Sequence, residues 1–273
     1  MKIPFETQLH QELEQFTLLP YDAPKLQDGD TNPEEENNHT NKGTVITSSV
    51  SLYPPKTPPE IHLEYEISTN PKLQHFSKKF DVWATLNGTE VGQARARYIN
   101  RRRLKQLKPL SMSKSLQELN DGDSDALAFT QQLFNDNGTL QAKNIMYPWG
   151  NELNKGAVLI LSYLMVEKEF RRQGMARILL NAVIEKAKNA KGGLQFMFVR
   201  PGAIPADLDD AIDDTMLSEE QAAVAKSIYD TAVRFYRSFG FRRVGHTKWF
   251  CLAMDPSHPS HRITPTEDRN PPI

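Results

Sequence analysis

The sequence predicts an α/β domain built on a mixed sheet, and three features predict it. Asn87-Gly88 separates two alternating apolar segments, Ala157 to Val166 is almost wholly apolar, and that run feeds a glycine-containing loop followed by an amphipathic helix. Asn-Gly between alternating segments is the strongest short-range signal for a two-residue hairpin. A near-continuous apolar run suits a strand covered on both faces. A strand, loop, helix and second strand in succession imply a parallel pair, so hairpin and unit together require a sheet of mixed direction.

Phe5 to Phe16 has the spacing of a short helix, whereas Tyr21 to Pro59 is crowded with Pro, Asn, Glu, Asp, Thr and Ser. Residues 1–59 are therefore expected to form a largely disordered arm. Ile61, Leu63 and Tyr65 alternate with His62 and Glu64, the pattern of a half-buried strand. Val82, Ala84 and Leu86 then alternate with Trp83 and Thr85 before the turn, and Val91 to Tyr98 forms the return strand. Residues 101–152 are too long for a plain connection and read as an insertion, with helical spacing of Leu127, Thr130, Gln131 and Phe134. Two roles stand open for it: a wall for a ligand pocket, or packing on the sheet edge. Asp121-Gly122-Asp123-Ser124-Asp125 lacks the later glycine and closing glutamate of a calcium loop, so it reads as a turn with a helix cap and no metal site is expected.

Met175, Ile178, Leu179, Ala182 and Val183 make one apolar stripe, and Arg177, Asn181, Glu185 and Lys188 take the other face. Gly192 and Gly193 stop this helix, and Leu194 to Val199 is the next strand. Arg200 to Leu217 reads as a solvated acidic loop, with attraction of a cationic amine as the alternative. Ser218 with Gln221 three residues on predicts a capping box and a helix to Ser238, with Ala225, Ile228, Ala232 and Phe235 inward. Phe239-Gly240-Phe241 turns the chain into the last strands. One domain is expected over residues 60–256, with a disordered tail over 257–273.

Lys and Arg total 33 against 34 for Asp and Glu, a net charge of -1, which argues against nucleic-acid binding by overall charge. The densest basic run, Arg101-Arg102-Arg103-Leu104-Lys105, reads as a solvated face, with nuclear targeting or an acidic partner as the alternative. A lone cysteine, Cys251, excludes an intramolecular disulfide framework, and the N-terminus lacks the basic-then-apolar order of a secretory signal. The expected location is the cytoplasm, with the nucleus as the alternative. No segment has the ~18 consecutive apolar residues of a membrane-spanning helix.

The chemistry concentrates at Arg171-Arg172-Gln173-Gly174-Met175-Ala176, between the apolar run and the amphipathic helix. The first amides of a helix have no partner within it, and its dipole adds partial positive charge there, so a diphosphate finds donors ready. Gly174 permits close approach, and Arg171, Arg172 and Arg177 add charge-assisted contacts. A surface turn shaped by its glycine is the competing reading of the hexapeptide alone.

These residues resemble the GNAT superfamily of acyl-CoA-dependent N-acyltransferases, whose loop Arg/Gln-x-x-Gly-x-Gly/Ala is filled by Arg171, Gly174 and Ala176. Thr231 to Phe241 resembles that family's late helix and turn, in which a Phe-Tyr pair is followed by Gly-Phe. The resemblance is clearest from Phe80 to Asp255, outside the insertion. It implies a mixed, mostly antiparallel sheet with a central splayed strand pair and flanking helices. It also implies acetyl-CoA as co-substrate, a primary amine as acceptor, and direct attack on the thioester. Arg171, Arg172, Gln173, Gly174, Met175, Ala176 and Arg177 would then hold the diphosphate, and Leu164, Met165 and Val166 would align the pantetheine through their backbone. The same strand would polarise the thioester oxygen, and Tyr236 would protonate the leaving thiolate. Relatives often carry Asn two turns before that tyrosine, where this chain has Tyr229. Several carry a base on the strand face held here by Ile160, Ser162 and Leu164, which leaves Glu152, Glu167 and His246 as fallback candidates. A catalytically silent acyl-CoA-binding or protein-interaction module is the alternative function.

Overall fold

The computed structural model describes residues 46–50, 61–69, 75–107, 124–135, 138–190, 192–213 and 215–268. The chain divides into two compact units, residues 43–201 with 231–273, and residues 1–42 with 202–230. The helix expected at Phe5 to Phe16 and the cap expected at residues 121–123 lie outside the described residues.

The larger unit holds an eight-stranded sheet in the order β1-β2-β3-β4-β5-β6-β8-β7. Its strands are β1 (Ile46–Val50), β2 (Ile61–Ser68), β3 (Ser77–Leu86), β4 (Thr89–Asn100), β5 (Ala157–Val166), β6 (Leu194–Val199), β7 (Arg242–Arg243) and β8 (Phe250–Ala253). Only β5 and β6 run parallel. The hairpin turns at Asn87 and Gly88, both with positive φ (51° and 80°), as a two-residue turn of this hand requires. β1 falls within the arm expected to be disordered. Its Ile-Thr-Ser-Ser-Val sequence is polar at the centre, and antiparallel pairing with Ile61 to Tyr65 of β2 supplies the structure that composition concealed.

The helix α3 (Met175–Lys188) lies on one face of the sheet, against β3, β4 and β5. Met175, Leu179, Leu180 and Val183 are buried, and Ile178 of the expected stripe is half-buried. Gly92 of β4 makes this packing possible. A Cβ there would stand 2.7 Å from the Met165 carbonyl oxygen and 3.0 Å from Leu179 Cδ1. Gly92→Ala must therefore push β5 or α3 away from β4, and overpacking of this kind costs about 1–3 kcal/mol. A melting temperature unchanged in Gly92→Ala would contradict this account of the close approach.

The described residues of the insertion pack on the opposite face of the sheet. They include α1 (Arg101–Leu107) and α2 (Ser124–Leu133). Phe129, Leu133, Leu140, Trp149 and Leu153 join Ile99, Val158, Ile160, Phe196, Phe198 and Cys251 in one buried cluster. Phe129 meets Phe198 edge-on at 4.8 Å and Trp249 at 5.4 Å. Arg101, read from sequence as part of a solvated basic face, is only 2 % exposed. Its guanidinium donates to the carbonyls of Leu153 (2.5 Å), Gly156 (2.9 Å) and Lys155, tying the end of the insertion to α1. A fork of fixed donors can satisfy three carbonyls at once, and the desolvation lowers its pKa to about 10.

Within the tail expected to be disordered, the described residues 257–268 are held by contacts from distant segments. His258 stacks on Trp149 at 4.9 Å, and the Asp268 carboxylate pairs with Arg237 at 2.8 Å while accepting the Arg243 amide at 3.1 Å. Arg242 also donates to the Ile263 carbonyl.

The smaller unit contributes residues 202–213 and 215–230 to the described set. Its acidic stretch is not wholly loop, because Pro205 at the first turn and Asp207 near the dipole start α4 (Pro205–Ala211). The helix α5 (Ser218–Phe239) begins in this unit. Its cap is one-sided and sits one residue earlier than the expected Ser218 and Gln221 pair. Glu220 accepts the Leu217 amide at 3.1 Å, and the Leu217 carbonyl takes the first helical bonds from Glu220 and Gln221. Gln221 instead turns its side-chain amide to the Asp213 and Met216 carbonyls.

Candidate functional site

Along β5 the two neighbouring strands behave differently. Parallel register with β6 runs from Ala157↔Leu194 to Leu161↔Val199 and ends there, while β5 continues to Val166 beside β4. A bulge accompanies the departure. Leu161 lies opposite Ala96 and Tyr163 opposite Arg95, so Ser162 is an extra residue on β5. Its hydroxyl donates to the Arg95 carbonyl at 3.3 Å. Ser162, Tyr163, Leu164 and Met165 are half-buried, in contrast to the fully buried run before them.

The extra residue reverses which side chains share a face. Ile160, Ser162 and Leu164 do not form the single face expected from strict alternation. Tyr163 and Met165, opposite Arg95 and Gln93, continue the side of Ile160, and Leu164, opposite Ala94, lies on the α3 side. No sequence signal marks the bulge, since Leu-Ser-Tyr fits an unbroken strand.

Beyond Val166 a 3-10 turn, Lys168–Phe170, leads into the loop. Arg171 does not project freely from it, because its Nε donates to the Val166 carbonyl at 2.8 Å and so pins the loop to the end of β5. Arg172 has φ 64° and Gly174 φ 85°, two left-handed residues that fold the chain back on itself. Gly174 is the N-cap of α3, and its carbonyl accepts from Arg177 (3.0 Å) and Ile178 (3.2 Å). Among the described residues, the amides of Arg172, Gln173, Gly174, Met175 and Ala176 donate to no protein acceptor. A Cβ on Gly174 would meet nothing within 4 Å, so the outer side of this loop is open. Five amides, a helix dipole and the exposed Arg172 side chain make a place suited to a diphosphate.

The end of α5 approaches the same region. Phe241 donates its amide to the Tyr236 carbonyl (3.1 Å) and Gly240 donates to Arg237 (3.1 Å), with Gly240 at φ 112°. This pair of bonds closes the helix in a Schellman motif, and the accompanying apolar contact is Tyr236 against Phe241 at 5.5 Å. The Phe-Tyr and Gly-Phe pairs of the sequence are thus two halves of one helix stop. Tyr236 is 8 % exposed and Phe235 only half-buried, so the tyrosine, with Val233, takes the inward place expected of Ala232 and Phe235. Burial drives the Tyr236 phenol well above its ordinary pKa, which keeps it protonated. Its hydroxyl has no hydrogen-bond partner among the described residues. Arg177, in the first turn of α3, stacks its guanidinium over Phe239 at 5.1 Å, joining the loop to the tyrosine's turn.

The fallback bases are dispersed. Glu152 sits before the amino end of β5, where it accepts the Gly150 amide at 2.6 Å and approaches His258 at 3.6 Å. His246 is exposed in the turn after Val244. Glu167 follows β5 directly, and its amide bonds Val91 at 3.0 Å. Glu90 was not singled out by sequence. Desolvation, then the charges of Glu167 and Glu64, hold its carboxyl above the ordinary value.

Residues 135–243 match the family model described as acetyltransferase (GNAT) domain. The chain carries a GNAT acetyltransferase domain. The match begins inside the stretch read as an insertion. It takes in β5, the loop, α3, β6 and all of α5, the elements that build the site. No curated protein is similar enough to count as a relative. Among the described residues no group of three metal-binding side chains occurs, and no helix is long and apolar enough to cross a membrane.

Proposed function

We propose that the GNAT domain transfers an acetyl group directly from acetyl-CoA to a primary amine. The observation that carries this reading is the row of five open amides that follows the carboxyl end of β5, the strand that leaves β6 after Leu161. Amides 172–176 would hold the diphosphate of the thioester substrate, with Arg171 fixing the loop and Arg177 steadying the first turn of α3. Backbone groups of Leu164, Met165 and Val166 would align the pantetheine as an added strand aligns to a sheet edge. The amine nitrogen attacks the thioester carbonyl carbon, the C–S bond breaks, and main-chain donors on β5 stabilise the oxyanion that forms between these events. Tyr236 gives its proton to the departing sulfur, and the proton shed by the new amide nitrogen leaves through water. An acceptor whose amine is neutral at the working pH requires no strand carboxylate, which fits a face carrying Ile160, Tyr163 and Met165.

Thiol release from acetyl-CoA, followed across a panel of small amines, polyamines, peptide N-termini and lysine peptides, tests this directly. Amine-dependent release is the expected result. Binding of coenzyme A without release by any amine would point to a silent acyl-CoA-binding module, and no binding at all would remove the loop's assignment.

A further inference from the structure

The basic run at Arg101 to Lys105 takes no part in that chemistry, and α1 splits it in two. Arg101 and Leu104 turn inward, and Arg102 and Arg103 are exposed. These two arginines line a cleft of about 500 Å³ together with Asn100, Gly156, Gly192 and Gln195. That volume lies within the range of small-molecule pockets.

The cleft is built rather than incidental. A Cβ on Gly192 (φ 127°) would stand 2.2 Å from Asn100 Nδ2, and one on Gly156 (φ 73°) would stand 1.9 Å from Gln195 Oε1. Each glycine therefore lets a side-chain amide lie flat against the backbone of the wall. Asn100 is further fixed by accepting the Arg103 amide at 3.1 Å. The lining includes two guanidinium groups and several carboxamides but no carboxylate. Such a set favours oxyanions, which guanidinium can grip with paired hydrogen bonds and carboxamides can orient. The cleft opens at the amino end of β5, whereas the Gly174 loop follows its carboxyl end. A ten-residue strand separates them by roughly 30 Å, so the two sites are distinct.

We propose that this cleft is a second binding site, for a small molecule carrying phosphate or carboxylate groups. The proposal stands independently of acetyl transfer.

Titration of the whole protein with inorganic phosphate and with citrate, followed by amide NMR, tests it. Saturable shifts at Gly156, Gly192 and the side-chain amides of Asn100 and Gln195 are expected, weakening as salt is added. Arg102→Gln with Arg103→Gln should raise the Kd for either anion at least tenfold, and because both side chains are exposed the fold should be retained, as the unchanged remainder of the spectrum would show. Gly174→Ala, which alters only the distant loop, should leave the response in place, and failure of coenzyme A to bind that loop would not affect this readout. The proposal is overturned if neither anion shifts these resonances, if the double variant binds as well as the wild type, if glucose acts equally, or if only an acidic peptide binds.

Discussion

Tyr236→Phe is expected to lower kcat by roughly a hundredfold, the lower end of what a positioned general acid contributes, with little change in KM for acetyl-CoA. The substitution removes one oxygen from a ring that the helix stop holds in place. Contacts of Tyr236 with Phe235 (5.1 Å) and Phe241 (5.5 Å) persist, and so do the backbone bonds from Gly240 and Phe241. A loss of activity would therefore not be a loss of fold, and circular dichroism should report the same helix content. Full activity in Tyr236→Phe would remove the tyrosine from the reaction and leave the helix stop as its only role. Stability has its own signature. The folded-state pKa of Tyr236 lies above the unfolded value, so its contribution is complete below about pH 10 and is lost as pH rises beyond that point. Above about pH 10 the wild type should lose melting temperature faster than Tyr236→Phe.

Gly174→Ala is expected to weaken coenzyme A binding by about 5- to 30-fold. An added Cβ meets no atom, so the effect comes from backbone conformation alone. Holding a non-glycine residue at φ 85° costs about 1–2 kcal/mol, which converts to that range of affinity when the loop escapes the strain by turning its amides away. Where the loop keeps its shape instead, the same cost appears as a lower melting temperature. Calorimetry with coenzyme A and with pantetheine, which lacks the diphosphate, distinguishes a specific effect from a general one. The expected loss is confined to coenzyme A. Equal weakening of both ligands would place the diphosphate elsewhere.

How far the sequence disclosed this molecule depends on the range of the forces involved. The hairpin at Asn87-Gly88, the stripe of α3 and the glycine loop are local patterns, and each was legible because a single turn or a single helix face suffices to reveal it. The helix stop at Gly240 was legible as a motif, although that the Phe-Tyr and Gly-Phe pairs answer each other through two hydrogen bonds was not. Arg101 looked solvated because its acceptors, the carbonyls of Leu153, Lys155 and Gly156, lie more than fifty residues on and carry no side-chain signature. The same holds for the tail, where Trp149 and Arg237 order His258 and Asp268 from afar. At Ser162 the obstacle was different: a bulge changes the count of residues between strands, and no residue type is reserved for it.

That added serine gives one strand two vocations. Side chains upstream of it belong to the protein's packed interior and are answerable to folding, whereas the half-buried Tyr163 and Met165 downstream stand outside that cluster. Under the proposed acetyl transfer, Tyr163 and Met165 are where evolution, or an engineer, would adapt the protein to a new acceptor without reopening the question of how Val158 and Ile160 pack.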